Sequence, residues 1–184
     1  MRRIGLFSTI AFIAFAVCLY GQTKQFQLGQ TPTPAEVRRW NITVLSDGTG
    51  LPPGSGTVAE GKLVFADKCS GCHGDTAEGR EPLGPSLVGG QGTLRTDNPV
   101  LTVGSYWPYA TTVWDYIHRT MPYATPGALS ANQTYALTAF LLYRNGIIQR
   151  NAVMSQEALP KVRMPNRHGF VPESPPYLPV TIPK

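Results

Sequence analysis

The sequence predicts an all-α domain built on three main helices, with an extended arm on each side of it. Three stretches with helix-start signals and helical apolar spacing carry this prediction, and all lie within residues 57–150. The 184 residues, 42% of them hydrophobic, suffice for one domain with a single core. We therefore expect an extended N-terminal arm at residues 22–56, the domain at 57–150 and a proline-rich C-terminal extension at 151–184.

Residues 1–21 have the charged start and the apolar run, in that order, of a secretory signal peptide. Two arginines follow Met1, and an uncharged apolar run then extends from Ile4 to Tyr20. At about 17 residues this run is also close to the length of a short membrane anchor, which is the alternative. Cleavage would remove both arginines and lower the formal net charge from +5 to +3. We expect a periplasmic protein with no stable membrane insertion after cleavage.

The charge of the mature chain is mild and gives no indication of nucleic-acid binding. Its basic residues concentrate late in the sequence, at Arg144, Arg150, Lys161, Arg163, Arg167 and Lys184. A solvated basic face would account for this distribution. A docking surface for an acidic redox partner is the alternative, because charge mainly speeds the encounter of two proteins.

The N-terminal arm is rich in Gly, Pro, Thr and Ser. A short strand-like patch stands out in it, with Trp40, Ile42 and Val44 at alternate positions. Because this spacing places three apolar side chains on one face, we expect the arm to lie against the domain.

The first predicted helix leads into the two cysteines of the mature chain. Thr57 followed by Glu60 forms a capping box, and an apolar stripe then continues to Cys69. A second helix is predicted over about Thr112–Arg119, with Asp115 completing another capping box.

The third helix has the strongest signals. Ser130, with Gln133 three residues later, marks its start, and Asn145-Gly146 marks its end. After Arg150 the composition returns to that of a loop, so we expect the C-terminal extension to be extended rather than to form a second core.

The motif that indicates a bound cofactor is Cys69-Ser70-Gly71-Cys72-His73. Two thiols at this spacing add to the vinyl groups of a haem, and the imidazole after them reaches the iron. A zinc site would need further paired ligands, which His118 and His168 do not supply. A redox dithiol would need a strand before the motif, where a helix is predicted. We therefore expect one covalent haem c on Cys69 and Cys72, with His73 as an iron ligand.

The segment Gly84-Pro85-Ser86-Leu87 resembles the Gly-Pro-x-Leu loop of class I cytochromes c. The resemblance implies a class I cytochrome c fold, with the three main helices around one covalent haem. It also implies that the carbonyl of Pro85 accepts a hydrogen bond from the remaining ring N–H of His73, because metal-bound imidazoles nearly always donate it.

A sixth iron ligand would distinguish electron transfer from ligand binding at the haem. Met121 lies 48 residues beyond His73, between two predicted helices, which is the order in class I cytochromes c. We expect Met121 to be this ligand, with Met164 and His118 as alternatives. Aromatic residues crowd the same region, and we expect them to wall the haem pocket: Tyr106, Trp107, Tyr109, Trp114, Tyr116 and Tyr123.

Beyond the haem pattern, the chain resembles the cytochrome subunits of sulfane dehydrogenases in the periplasmic sulfur-oxidation (Sox) system, the SoxD family. The motifs that carry the resemblance are Thr33-Pro34-Ala35-Glu36 leading to Trp40-Asn41-Ile42, Asp47-Gly48-Thr49-Gly50-Leu51-Pro52-Pro53-Gly54, Gly104-Ser105-Tyr106-Trp107-Pro108-Tyr109-Ala110-Thr111, and Met164-Pro165-Asn166-Arg167 with Gly169-Phe170. They span nearly all of the mature chain.

This resemblance implies a partner with a molybdenum cofactor, SoxC or a similar protein of the sulfite-oxidase type. That partner would remove electrons from a sulfur compound, and the cytochrome would relay them to a downstream cytochrome or oxidase without holding the catalytic site. Some members of the family carry a second haem domain, whereas this chain has one haem motif. A freestanding, diffusible electron shuttle and an enzyme acting at its own haem are the alternatives.

Overall fold

The structure, a computed structural model, describes residues 29–171. The predicted signal peptide and the last residues of the C-terminal extension lie outside this range. No helix within the described range is both long and apolar enough to cross a membrane. The chain divides after Asn41 into two units.

The described part of the first unit contains one short helix, α1, at Pro34–Trp40. Thr33 and Glu36 form a reciprocal capping box, in which the Thr33 N–H donates to the Glu36 carboxylate over 2.7 Å. This helix differs from the extended conformation and the strand-like patch expected here, because α1 runs up to Trp40 and residues 41–44 form no strand. The Thr-x-x-Glu spacing and Pro34 at the first helical position are ordinary helix-start signals.

The second unit holds the remaining elements. In chain order they are strand β1 at Ser55–Thr57, helix α2 at Val58–Lys68, helix α3 at Ser70–His73, helix α4 at Ala110–Thr120, helix α5 at Ala131–Arg144 and strand β2 at Val153–Ser155. Two 3-10 helices lie at Thr93–Arg95 and Leu159–Lys161. The three main helices of the prediction, α2, α4 and α5, are confirmed.

Helices α2 and α5 pack closely against each other. Helix α2 begins at the predicted capping box of Thr57 and Glu60. A Cβ atom at Gly61 would collide with the carbonyl of Ala136, so glycine permits the close approach of the two helices. Phe65 and Phe140 fill the contact one turn further on, with ring centroids 5.1 Å apart. This contact fixes the end of α2, and therefore Cys69, against α5.

Helix α4 begins two residues before its predicted start, and the predicted capping box is wrong. Tyr109 is its N-cap residue and gives no side-chain cap, while Thr112 Oγ1 donates to the Tyr109 carbonyl over 2.8 Å. Asp115 is buried and accepts from the Val44 N–H over 3.2 Å, and it forms an ion pair with Arg119 one turn later. The carboxylate thus ties the segment before β1 to α4 instead of capping the helix.

Helix α5 begins at Ser130 and ends before Asn145, as predicted. The Asn145 side chain then joins the end of this helix to a distant loop. Its Nδ2 donates to the carbonyl of Leu87 over 3.1 Å, and its Oδ1 accepts from the Gly89 N–H over 3.1 Å. The loop that follows Pro85 is therefore held by the end of α5.

The segments on both sides of the three main helices contribute to the core. Strands β1 and β2 pair antiparallel, with Ser55 opposite Ser155. The hydroxyl of Tyr135 on α5 donates to the Pro52 carbonyl over 2.9 Å. The core side chains that these segments add are Val44, Leu51, Met154, Leu159 and Met164.

Candidate haem-binding site

The cysteine and histidine side chains of the motif lie on one turn of helix. Cys69 ends α2, its N–H donating to the Phe65 carbonyl over 2.9 Å, and α3 starts at once. The His73 N–H donates back to the Cys69 carbonyl over 2.9 Å. Residues three and four apart lie on the same face of a helical turn, so Cys72 and His73 face the same side as Cys69. Cys69 and Cys72 are not joined in a disulfide.

The imidazole of His73 is oriented by the loop that follows it. Its Nδ1 lies 2.9 Å from the carbonyl oxygen of Pro85, the contact that the class I resemblance implies. Since a carbonyl can only accept, Nδ1 carries the proton, and the lone pair is on Nε2. Gly84 lies directly against the motif, where an added Cβ would stand 2.7 Å from the Cys72 carbonyl oxygen.

The four side chains predicted to bind the haem line a single cavity of about 440 Å³. They are Cys69, Cys72, His73 and Met121. The walls come from four parts of the chain and are mostly apolar: Phe65 and Lys68 from α2, Leu83, Gly84, Pro85 and Leu87 from the Pro85 loop, Ile117, Pro122, Tyr123 and Ala124 from α4 and the turn after it, and Leu137 and Leu141 from α5.

Met121 reaches this cavity because α4 ends at it. Its N–H closes the last turn on the Ile117 carbonyl at 3.0 Å, and its own backbone is extended, with φ −117° and ψ 147°. The two alternative ligands do not line the cavity. Met164 is buried in the core and lines a different cavity. His118 stacks on Trp114, with ring centroids 4.7 Å apart.

Burial changes the acid–base behaviour of two side chains near the site. It raises the pKa of the Cys69 thiol to about 11, so that the thiol is protonated at neutral pH in the absence of a bond to its sulfur. It also lowers the pKa of His118, against a smaller opposite effect of the Asp115 charge. His118 is therefore favoured in its neutral form, as a packing residue against Trp114.

The aromatic cluster of residues 106–123 is placed differently from the prediction. Of its six members only Tyr123 lines the cavity. Trp107 packs edge-on against Tyr116, with ring centroids 5.4 Å apart, and Tyr106 packs in the same way against Phe170. Most of the walls are aliphatic, and the helical spacing of Leu137 and Leu141 indicated only that this face of α5 is buried.

These residues fit a haem c. The cavity offers two free thiols, an imidazole with its Nε2 lone pair available and a thioether, within walls apolar enough to exclude water from a porphyrin.

Comparison with known proteins identifies the family of the chain. The sequence model of the cytochrome c family matches residues 58–145. The crystal structure of the sulfane dehydrogenase SoxCD from Paracoccus pantotrophus contains a chain that is 43% identical and superposes with a TM-score of 0.75. The match covers 86% of this chain and 84% of that chain. The protein therefore belongs to the cytochrome c family, with a class I fold, and is an electron-transfer protein similar to the SoxD cytochrome of SoxCD.

Proposed function

We propose that this protein is a periplasmic monohaem cytochrome c that accepts electrons from a molybdenum-cofactor dehydrogenase acting on a sulfane or sulfite sulfur. It passes them to a downstream cytochrome or oxidase of the respiratory chain. The extent of the SoxCD match carries this proposal. At 43% identity it covers 86% of the chain, well beyond residues 58–145 that match the cytochrome c family in general.

In this proposal one haem c is attached through Cys69 and Cys72, with His73 and Met121 as iron ligands. The support is that these four side chains line one apolar cavity, whereas Met164 and His118 do not. The bound haem supplies a one-electron oxidation and reduction.

The protein side chains determine how easily that electron is accepted. The Pro85 carbonyl keeps the proton of His73 on Nδ1, which orients the ring and raises its basicity. The Met121 thioether, as a ligand, would favour the reduced iron and raise the reduction potential. With His73 and Met121 both bound to the iron, no position would remain for a small molecule, so the site would favour electron transfer over chemistry on a bound substrate.

An apolar edge beside the cavity suits contact with a redox partner. Leu83 and Tyr123 both line the cavity, yet their side chains are 62% and 88% exposed. Such exposed apolar groups next to a buried cofactor site are typical of interaction surfaces. We assign this edge to the dehydrogenase subunit, SoxC or a sulfite-oxidase-like protein.

Purification of the tagged, haem-loaded protein from its native host tests the proposal. We expect haem absorbance and molybdenum to elute together from gel filtration, in a fixed ratio, and addition of a sulfur donor to reduce the haem. Elution of the haem at the size of a single mature chain without molybdenum would instead show a diffusible shuttle. Rapid and complete reaction of the reduced protein with carbon monoxide would contradict ligation by Met121.

A further inference from the structure

A second cavity, of about 450 Å³, lies in the C-terminal part of the second unit and shares no residue with the first. Four of its seven lining residues are basic or histidine: Lys161, Arg163, Arg167 and His168. None of the seven is acidic. The other three are Pro160, Val162 and Met164. We refer to this site as the basic cavity.

The walls of the basic cavity are anchored to the rest of the second unit. Pro160 belongs to the 3-10 helix Leu159–Lys161, and Met164 is only 4% exposed and packs in the core. The Asn166 amide donates to the Tyr106 carbonyl over 2.7 Å. The guanidinium of Arg167 lies over the Tyr109 ring, 4.9 Å from its centroid. Because all of these contacts lie within the chain, the shape of the cavity does not depend on a partner.

The cations of the basic cavity are not neutralised within the described residues. The ion pairs found there join Lys68 to Asp67, Arg80 to Asp75 and Arg119 to Asp115, and none involves the cavity. The carboxylate of Glu157 is close enough to Lys161 to be influenced by its charge. That carboxylate accepts from the Ser155 hydroxyl over 2.7 Å, which is the main reason for its lowered pKa.

The basic cavity and the haem cavity lie at opposite ends of α4. Arg167 packs on Tyr109, the N-cap residue of this helix, and Met121 is its C-cap residue. The intervening helix spans about 18 Å at ~1.5 Å per residue. An occupant of the basic cavity would therefore leave the apolar edge of Leu83 and Tyr123 free for electron exchange.

We propose that the basic cavity is a docking site for an acidic segment of a protein partner. The partner's carboxylates would accept hydrogen bonds from Lys161, Arg163 and Arg167. The argument is charge complementarity. Three positive side chains line the cavity without an acidic residue, so a partner segment with several carboxylates would be attracted to it. The volume is in the range of sites that take an organic ligand or several side chains, rather than a single small oxyanion.

The chain's own C-terminus is a weaker candidate for the occupant. Residues 172–184 continue directly from Val171 but contain one acidic residue, Glu173, together with Lys184. One carboxylate side chain offset by a lysine does not complement three cations.

The test uses the mature, haem-loaded protein and an immobilised hexaglutamate peptide, with binding measured by biolayer interferometry at low ionic strength. Lys161→Gln with Arg163→Gln removes two exposed charges of the cavity without touching the buried Met164 or the stacked Arg167. We expect this double variant to bind the peptide about tenfold more weakly. The matched control, Lys62→Gln with Arg95→Gln, removes two exposed charges elsewhere and should lose less than about twofold.

Four outcomes would overturn the proposal. Equal losses in both double variants would show attraction by net charge alone. Tighter peptide binding by a chain ending at Val171 than by the full chain would make residues 172–184 the occupant. Displacement of the peptide by sulfate, where chloride at the same ionic strength has no effect, would indicate a small-oxyanion site. Hexalysine, the reversed-charge peptide, should not bind, and binding by it would contradict the role of the cations.

Discussion

Nδ1 of His73 lies 2.9 Å from the carbonyl oxygen of Pro85, twelve residues along the chain. This hydrogen bond joins the last turn of the Cys-x-x-Cys-His segment to the loop behind it. The loop can approach only because residue 84 is a glycine, packed against the Cys72 carbonyl and the His73 ring. The orientation of the imidazole therefore depends on backbone packing as much as on the motif itself.

Gly84→Ala should weaken this hydrogen bond and raise the reduction potential of the haem-loaded protein. A Cβ at residue 84 would stand 2.7 Å from the Cys72 carbonyl oxygen and 3.2 Å from Cε1 of His73, so the loop must move away. A weaker acceptor makes the imidazole a poorer electron donor and stabilises the oxidised iron less. Potentiometric titration followed by visible absorbance measures the shift.

Gly71→Ala is the control for this change. Gly71 lies between the two cysteines, but a Cβ there would meet no atom of the protein within 4 Å. The haem-loaded Gly71→Ala variant should have the same reduction potential as the wild type. An equal shift in both variants would mean that the potential responds to any substitution near the motif and not to the His73–Pro85 contact.

Met121→Ala should lower the reduction potential by on the order of 0.1 V, within the roughly 0.8 V over which axial ligands set haem potentials. The soft thioether favours the reduced iron, so its removal favours the oxidised state. We also expect loss of the weak sulfur-to-iron absorbance band at the red end of the oxidised spectrum. Potentiometry and visible spectroscopy on the same sample measure both effects.

Met164→Leu tests the competing ligand assignment without a large loss of stability. Met164 is 4% exposed, and exchange with leucine at such a core position usually costs less than about 1.5 kcal/mol. The band and the potential should both be retained. Disappearance of the band in Met164→Leu, with its retention in Met121→Ala, would reverse the assignment.

The helix starts show which parts of the fold the sequence could predict. Thr57 and Ser130 begin helices where predicted, because a capping box is a local pattern of four residues. The same pattern at Thr112 failed because Asp115 is engaged by the Val44 N–H, 71 residues away in the chain. A contact of that separation leaves no trace in the local spacing.

The candidate site shows the same difference between local sequence patterns and contacts of distant residues. The Cys69–His73 motif and the Gly-Pro-x-Leu loop are short patterns, and the structure brings them together as expected. The cavity walls depend on how helices pack, so the prediction that the aromatic cluster of residues 106–123 forms them was wrong for every member except Tyr123. Phe65 and Leu141 could be recognised as wall residues only after the packing of α2 on α5 was known.

Gly61→Ala should destabilise the protein although alanine is the better helix former. Helix propensity alone would stabilise α2 by about 1 kcal/mol. The added methyl group would collide with the Ala136 carbonyl of α5, and overpacking of this kind usually costs about 1–3 kcal/mol. Urea unfolding of the haem-loaded protein, followed by far-ultraviolet circular dichroism, measures the net change.

The exposed Ala66 on the same helix provides the comparison. Ala66→Gly should lose about 1 kcal/mol from propensity alone. Stabilisation by Gly61→Ala would show that α2 and α5 have room for a side chain at their contact.

Tyr135→Phe should lower the free energy of unfolding at neutral pH and change its dependence on pH. The Tyr135 hydroxyl is buried and donates to the Pro52 carbonyl over 2.9 Å, and a neutral hydrogen bond of this kind contributes about 1 kcal/mol.

Burial raises the pKa of this tyrosine from 10.0 to about 12. Between these two values the unfolded chain releases the proton while the folded protein keeps it. The tyrosine's contribution is therefore complete below pH 10 and is lost as the pH rises towards 12. In urea unfolding at several alkaline pH values, the wild type should lose stability more steeply than Tyr135→Phe, by about one bound proton. Parallel curves for the two proteins would show that Tyr135 ionises equally well in the folded state.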